Sequence, residues 1–508
     1  MAKTQNPEGT HVGRGAKAGG VVPVRRASAT DCRLRCREVR SSADPSALSE
    51  RFAGLDNPSI LGGNPARAAA GRFSYWAAEP REVFEFRSGQ SEPFARLDAT
   101  LAKYRLDSDG GDDLPRGMFC GGWIGYFGYE LGRHIETLPA ATADDLHLPL
   151  IRLCFYDRFI AYDSRRGTFW IVVLEMPNDS ESPAEKIATQ HQHLRRAREI
   201  TVADPPPVDI ERVDLAAAAC NLTKEQYLAA VARIKRHIRD GDVYQVNFAR
   251  RFRQRFASRP MQLFHWQNRY NPSGYGAYLD AGSFQVVSAS PEMFVTIWDR
   301  TICTRPIKGT RPRIHAACPG AERINAAYRR ELWTSSKEQA ELNMIVDLER
   351  NDLARICVPG TRRVVQPRAI EAHPTVFHAA ATVGGTLRDD ITFSDVLRAM
   401  FPGGSITGAP KIRAMEIIDA LEPNVRSVYT GSIGFIGIDG TVGLNIAIRT
   451  VIIAGHEAFV HAGGGIVADS DPQAEWQETV TKARALLAGI RAIEDSQGPS
   501  GPVTGRHD

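Results

Sequence analysis

The sequence contains no run of about 18 apolar residues and no apolar stretch behind its first few positions, so neither a membrane-spanning helix nor a secretory signal is expected. Paired cysteines are also missing. Eight cysteines lie scattered singly along 508 residues, apart from Cys32 and Cys36. One C-x-x-x-C without a second pair excludes a disulfide scaffold and is weak support for zinc; reduced thiols in a cytoplasmic protein are expected. Internal repeats of about 20–50 residues are absent, which excludes solenoids and propellers. Net charge is small at +4, and it is concentrated at one end. Residues 1–40 carry nine Lys/Arg against three acidic residues, leaving the other 468 residues at −2. A near-neutral body offers no footprint for nucleic acid or a membrane surface, and neither is expected as a partner.

What is present is enough apolar content, 43%, to bury a large core. The basic head, residues 1–44, is poor in large apolar side chains and is expected to be a disordered extension rather than a targeting presequence. Residues 45–215 alternate aromatic-rich strand runs with Gly/Pro turns. Gly121–Tyr129 is too rich in glycine for a helix and implies closely packed backbone. Ala203–Val208, with its three prolines, reads as a linker. Residues 222–492 open with a helix announced by the Thr223/Gln226 capping-box spacing and stopped by Gly241. A strand over Val243–Phe248, two strands within 285–310, helix over most of 324–348, a helix at 410–421, several strands over 428–466 and a last helix from about 471 to 490 follow. Residues 493–508 are expected to be a flexible tail. Strands in series followed by helices favour an α+β layered body.

Two motifs fail on inspection. Gly403–Gly408 has the outer glycines of a phosphate loop, but Ala409 and Pro410 separate it from Lys411, so the amine cannot follow the last glycine. Gly431–Gly434 lies among strands with no helix behind it, which removes a dinucleotide site.

Carboxylates carry the stronger signal. Glu475 and Glu478 are three apart with Lys482 four further on, one face of a helix; Glu338 and Glu341 repeat the spacing. Spacing alone suits an ordinary solvated helix face. The glycine turn Ala462–Ile466 shortly before Glu475 raises the metal reading, since bare N–H groups there can receive an anion while a hard cation takes carboxylate oxygens alongside. Glu292 follows an apolar strand, where a raised pKa suits a general acid. Lys308 lies on a mainly apolar strand beside Gly309; buried, it becomes a neutral nucleophilic amine, and exposed, it is a snorkelling lysine.

These residues resemble the chorismate-utilising enzymes, a family that includes anthranilate synthase component I, aminodeoxychorismate synthase component I and the isochorismate and salicylate synthases. The resemblance is carried by Asp242–Asn247, Ser290–Glu292, Pro306–Arg313, Ile345–Asp352, Phe401–Lys411 and Ala462–Asp469, dense over 222–492. It extends more weakly over 45–215 through Gly121–Glu130. It implies an α/β sandwich of two large antiparallel sheets with helices packed outside, and a buried site for Mg²⁺ and chorismate. It implies that Glu341 and Glu478 bind the metal directly, with Glu338 and Glu475 acting through water. Gly309, Thr310, Thr407, Tyr429, Arg449, Gly463, Gly465 and Lys482 fall at substrate-binding positions, His378 at the active-site histidine, and Glu292 where the departing C4 hydroxyl is protonated. Gln245 stands where water-adding members carry a lysine base, which favours ammonia as nucleophile. The Pro-Ile-Lys-Gly-Thr form around Lys308 resembles aminodeoxychorismate synthase, whereas anthranilate synthases usually carry Ala there. In that subfamily the product feeds p-aminobenzoate and folate. No amidotransferase signature appears, so ammonia is expected from a separate glutamine amidotransferase subunit. Departures from the pattern are Met293, Ala381, the Glu341-Leu-Asn order and the lack of a tryptophan-pocket motif over Leu48–Gly63. Anthranilate synthase component I is the alternative activity, and a non-catalytic chorismate- or amidotransferase-binding regulator the remote one.

Overall fold

The computed structural model describes residues 29–62, 71–107, 111–210, 213, 218–373 and 376–496. Its strands form two sheets. The larger has thirteen strands, in the order Ala219–Cys220, Gln245–Arg255, Glu457–Ile466, Thr450–Ala454, Phe284–Ser290, Tyr275–Asp280, Ser59–Leu61, Phe73–Ala77, Arg158–Asp163, Thr168–Glu175, Thr30–Val39 and Tyr104–Leu106; Gly408–Ala409 pairs beside Gln245–Arg255. The smaller has ten, in the order Ile307–Pro312, Val376–Thr386, Thr301–Arg305, Met293–Trp298, Val442–Asn445, Ser432–Gly437, Gly122–Phe127, Ile151–Tyr156 and Glu82–Phe86, with Arg363–Ala372 also on Val376–Thr386. The α+β sandwich is as the sequence implied.

Period-two alternation explains why the large sheet buries both faces. Phe159, Ala161, Val172 and Leu174 point into a core shared with Trp123, Ile124 and Phe155 of the small sheet. Their neighbours Ile160, Ile171 and Val173 point the other way, against helices that include Pro183–Ala197, Pro260–Tyr270 and Pro472–Ser496. Among the described residues no helix is long and apolar enough to cross a membrane. Close packing of the Gly121–Tyr129 segment holds: a Cβ on Gly125 would lie 1.9 Å from the Arg152 carbonyl oxygen, so only glycine fits mid-sheet.

The two long regions of the chain are interleaved. Ser59–Leu61 pairs with Tyr275–Asp280, and Gly122–Phe127 pairs with Ser432–Gly437, so the division near 215–222 is one of sequence and not of the folded body. The segment Ala203–Val208 is no free linker, since Trp266 Nε1 and Tyr270 Oη donate to the carbonyls of Pro206 and Pro205.

The expected disordered head is corrected for its last part. Thr30–Val39 is a strand that pairs antiparallel with Thr168–Glu175 and parallel with Tyr104–Leu106. Composition hid an alternation: Cys32 and Leu34 are buried while Arg33 and Arg35 reach out to Asp107 and Glu175. Residues 1–28 and 497–508 lie outside the described residues. The last helix runs to Ser496, past the expected start of the tail. Four strands, not two, occupy 284–312, and the long helix over 324–348 is two, Ala321–Thr334 and Ser336–Ala354, divided where Ser335 caps the second by accepting from the Glu338 N–H.

Candidate active site

Twice the chain passes from one sheet to the other, side by side. Strand Phe284–Ser290 of the large sheet runs through Glu292 into Met293–Trp298 of the small one. Val442–Asn445 of the small sheet returns through Arg449 into Thr450–Ala454 of the large one. The crossings are stitched together: Ile446 N–H donates to the Glu292 carbonyl at 3.0 Å, and Ala289 N–H to the Arg449 carbonyl at 3.0 Å. Glu292 and Arg449 therefore sit where the sandwich splays. Arg449 has φ 50°, a left-handed conformation that a side-chain-bearing residue takes only when its surroundings impose it.

Strand Ile307–Pro312 adds the amine. Its register against Val376–Thr386 slips between Ile307 and Thr310, a bulge that turns Lys308 and Gly309 out of the ladder. Gly309 has φ +89°, and a Cβ there would lie 2.7 Å from Leu332 Cδ1 and 3.0 Å from the Glu338 carboxyl, so glycine admits that carboxyl to the backbone. Lys308 Nζ donates to the Ser405 carbonyl at 3.4 Å. Glu292 Oε1 accepts from Ile307 N–H at 3.4 Å. Burial pushes the Glu292 carboxyl up, against the pull of the Ser405 hydroxyl and of Lys308. Burial pushes the Lys308 amine down, against Glu341, Glu292 and Glu478. The two shifts converge, because desolvation opposes the charged form of both the acid and the amine.

His378 faces Thr310, its Nδ1 3.0 Å from the threonine hydroxyl. Burial, then Arg449, His373 and Arg305, lower its pKa to about 3, so it is a neutral imidazole at neutral pH. Unfolded, it titrates near 6.5. The unfolded chain therefore binds the extra proton first, and stability falls as pH drops from about 6.5 towards about 3, by the order of a few kcal/mol at the limit. A His378→Gln variant should lose part of that acid sensitivity when melting temperature is followed against pH; an unchanged profile would contradict the neutral assignment.

The glycine segment before the last helix is strand, not turn. Gly463, Gly464 and Gly465 pair with Ala249, Phe248 and Asn247. Alternate faces explain the glycines. A Cβ on Gly464 would lie 3.1 Å from Glu475 Oε2 and 3.4 Å from Glu478 Oε1; one on Gly465 would lie 3.1 Å from the Gln245 amide carbon. The Gln245 side chain is fully buried, and neither amide atom has a partner among the described residues. Lys482 Nζ donates to the Gly463 carbonyl at 2.9 Å and pairs with Glu478 at 2.6 Å.

The two carboxylate pairs face one another. Burial and then the neighbouring charges act on Glu341, which Lys308 and Lys337 pull down and Glu478 and Glu338 push up, with a raised pKa as the result. Burial also raises Glu475, whose Oε1 accepts from Ser470 at 2.6 Å. For Glu478 the cost of burial is outweighed by Lys482, Lys308 and Lys337, and its carboxyl is held down. Glu338 Oε1 accepts from Arg311 at 2.7 Å, while Oε2, buried, has no partner among the described residues. Among the described residues no three His, Cys, Asp or Glu side chains form a ready metal cage. Mutually repelling carboxylates with an orphaned oxygen and three intruding lysines nevertheless fit a hard divalent cation.

Arg449 is another uncompensated group. Burial lowers its pKa, and no carboxylate pairs with its guanidinium among the described residues. Tyr429 stacks on His461, ring centroids 4.9 Å apart and 9° from parallel, and its neighbour Thr430 is tied to the Arg449 crossing by an N–H to the Ala447 carbonyl. Thr407 differs from expectation in one respect: its hydroxyl donates to the Gly403 carbonyl at 3.0 Å, inside its own turn. Ser405, Lys337 and Ser470 were not foreseen. Ser405 lies in the Gly403–Gly408 segment that failed as a phosphate loop; two glycines before a serine were the signal, pointing to a tight turn rather than to a nucleotide.

The sequence profile described as chorismate binding enzyme matches residues 64–488. Anthranilate synthase component 1 of Streptomyces coelicolor is 36% identical over 510 residues, covering 96% of each chain. Aminodeoxychorismate synthase component 1 of Bacillus subtilis is 37% identical over 391 residues, 77% of this chain and 81% of that one. The crystal structure of anthranilate synthase component I from Streptococcus pneumoniae superposes with a TM-score of 0.69 at 30% identity, covering 82% of this chain and 92% of the other.

Proposed function

The chain belongs to the chorismate-binding enzymes, and from that premise we propose that it is an aminodeoxychorismate synthase component I, converting chorismate and ammonia to 4-amino-4-deoxychorismate. The observation that carries this choice is Lys308: an amine lowered by burial, held between the Ser405 carbonyl and a Glu292 carboxyl raised by the same cause.

Chorismate presents two carboxylates and a C4 hydroxyl that is a poor leaving group. Arg449, uncompensated among the described residues, takes one carboxylate. Glu338, Glu341, Glu475 and Glu478 are the residues that would hold Mg²⁺, which when bound supplies a positive charge for the other carboxylate. Lys308, as the neutral amine, then forms a bond to C2 through its nitrogen lone pair, the two conjugated ring double bonds both shift, and the C4–O bond breaks as Glu292 gives its proton to the departing hydroxyl. Ammonia adds at C4, both double bonds return, and the C2–N bond breaks. The lysine leaves as an amine, a proton returns to Glu292, and the balance is chorismate plus ammonia to aminodeoxychorismate plus water. Gln245 has no ionisable group with which to deprotonate water, which supports ammonia as the incoming nucleophile. A separate amidotransferase subunit supplies that ammonia.

Anthranilate synthase component I is the second reading, favoured by the relative that matches over 96% of both chains. Product identity separates them. With chorismate, Mg²⁺ and ammonium, the purified chain should yield a product that retains the enolpyruvyl group and becomes p-aminobenzoate only when a lyase is added. Fluorescent anthranilate and pyruvate without a lyase would overturn the proposal.

A further inference from the structure

Arg250 lies in the middle of strand Gln245–Arg255, 2% exposed, and no carboxylate pairs with it among the described residues. Its Nε–H donates to Thr479 Oγ1 at 2.9 Å, and that hydroxyl donates in turn to the Trp476 carbonyl at 2.8 Å. The guanidinium carbon lies 3.5 Å from the centroid of the Trp476 ring and 4.6 Å from that of Phe252. Nη1 donates to Cys220 Sγ at 3.7 Å, and Nη2 is buried without a partner among the described residues.

Trp476 and Thr479 each follow by one residue the carboxylates Glu475 and Glu478. One residue turns a helix by about 100°, so the two pairs form adjacent ridges, and fixing the rotation of one fixes the aim of the other. The tolerance is small, since Gly464 leaves the Glu475 carboxyl only the room of a missing Cβ. Arg250 also pairs in register with Ala462, one residue before that glycine segment. It therefore joins the strand beneath the glycines to the helix above them. Burying an unpaired guanidinium is costly, and an apolar residue would pack this position without that cost. A planar, two-point hold on a ring and a hydroxyl gives what an apolar residue does not: a defined angle.

We propose that Arg250 is a positioning residue for Glu475 and Glu478, setting through Trp476 and Thr479 the rotation of the last helix and so the aim of that half of the Mg²⁺ cradle. The inference rests on the assignment of those carboxylates to the metal. Mn²⁺ is the probe, its binding to the full chain followed by electron paramagnetic resonance in the wild type, Arg250→Lys and Thr479→Val. Lysine keeps the charge and loses the planar hold; valine keeps the volume and loses the hydroxyl. Each variant should bind Mn²⁺ about tenfold more weakly, and its chorismate turnover should return towards the wild-type value at saturating Mg²⁺. A lowered melting temperature with unchanged Mn²⁺ affinity would make Arg250 an ordinary packing residue and overturn the inference, as would a loss of turnover that added Mg²⁺ does not restore. Failure of the wild type to bind Mn²⁺ is a separate outcome, which removes the cradle itself and the inference with it.

Discussion

Replacing Lys308 by alanine is expected to lower formation of 4-amino-4-deoxychorismate by about three orders of magnitude while leaving chorismate affinity within a few fold of the wild type. The amine sits beside the acid that must act in the same step, with the Ser405 carbonyl as its acceptor. Glu292 is raised first by burial, which the substitution leaves in place, so the defect is confined to the nucleophile. Binding survives because the guanidinium and the carboxylate cradle lie on other elements. Rapid-quench kinetics and intact-protein mass spectrometry read the two halves: slow turnover, and no adduct on the chain when ammonia is withheld. Turnover at the wild-type rate in the variant would remove the covalent role.

Arg449→Met should act on binding instead. A guanidinium with no acidic partner among the described residues is poised for a ligand carboxylate, and removing one side of such a pair costs about 2–5 kcal/mol, so kcat/KM should fall by about 100-fold, mostly through KM. The same substitution removes a guanidinium that is disfavoured by its partial burial and should raise the melting temperature. Opposite signs for affinity and stability are the signature of a residue kept for its ligand. An unchanged KM would show that the carboxylate is held elsewhere.

Some of this was legible in the residues themselves. The Thr223/Gln226 capping box forms as its spacing required, with both reciprocal hydrogen bonds present. The Glu475/Glu478/Lys482 row does lie on one helix, and Lys482 does pair with Glu478. Gly121–Tyr129 is as closely packed as its glycines demanded. Other features were hidden for stated reasons. In Thr30–Val39 the arginines dominate composition while Cys32 and Leu34 carry the burial, so a strand looked like a disordered basic arm. Ala462–Ile466 has the glycine content of a turn, yet each glycine answers a separate close approach along a strand. Ser335 divides two helices that share one periodic pattern.

Local chemistry along the chain determined which residue types stand at each position of the site: a lysine beside Gly309, a glutamine at 245, and two pairs of glutamates at helical spacing. These are properties of neighbours in sequence. Only the tertiary structure decided that Lys308 and Glu292, sixteen residues apart, have pKa values that converge, because their shifts come from burial between two sheets and from charges on distant elements. Among the described residues, it alone left Arg449 without a carboxylate and the Gln245 amide without a partner, and it alone brought the glutamates of two helices, more than a hundred residues apart, within reach of each other's charge. Burial and long-range pairing depend on the whole chain's packing, which no local pattern encodes.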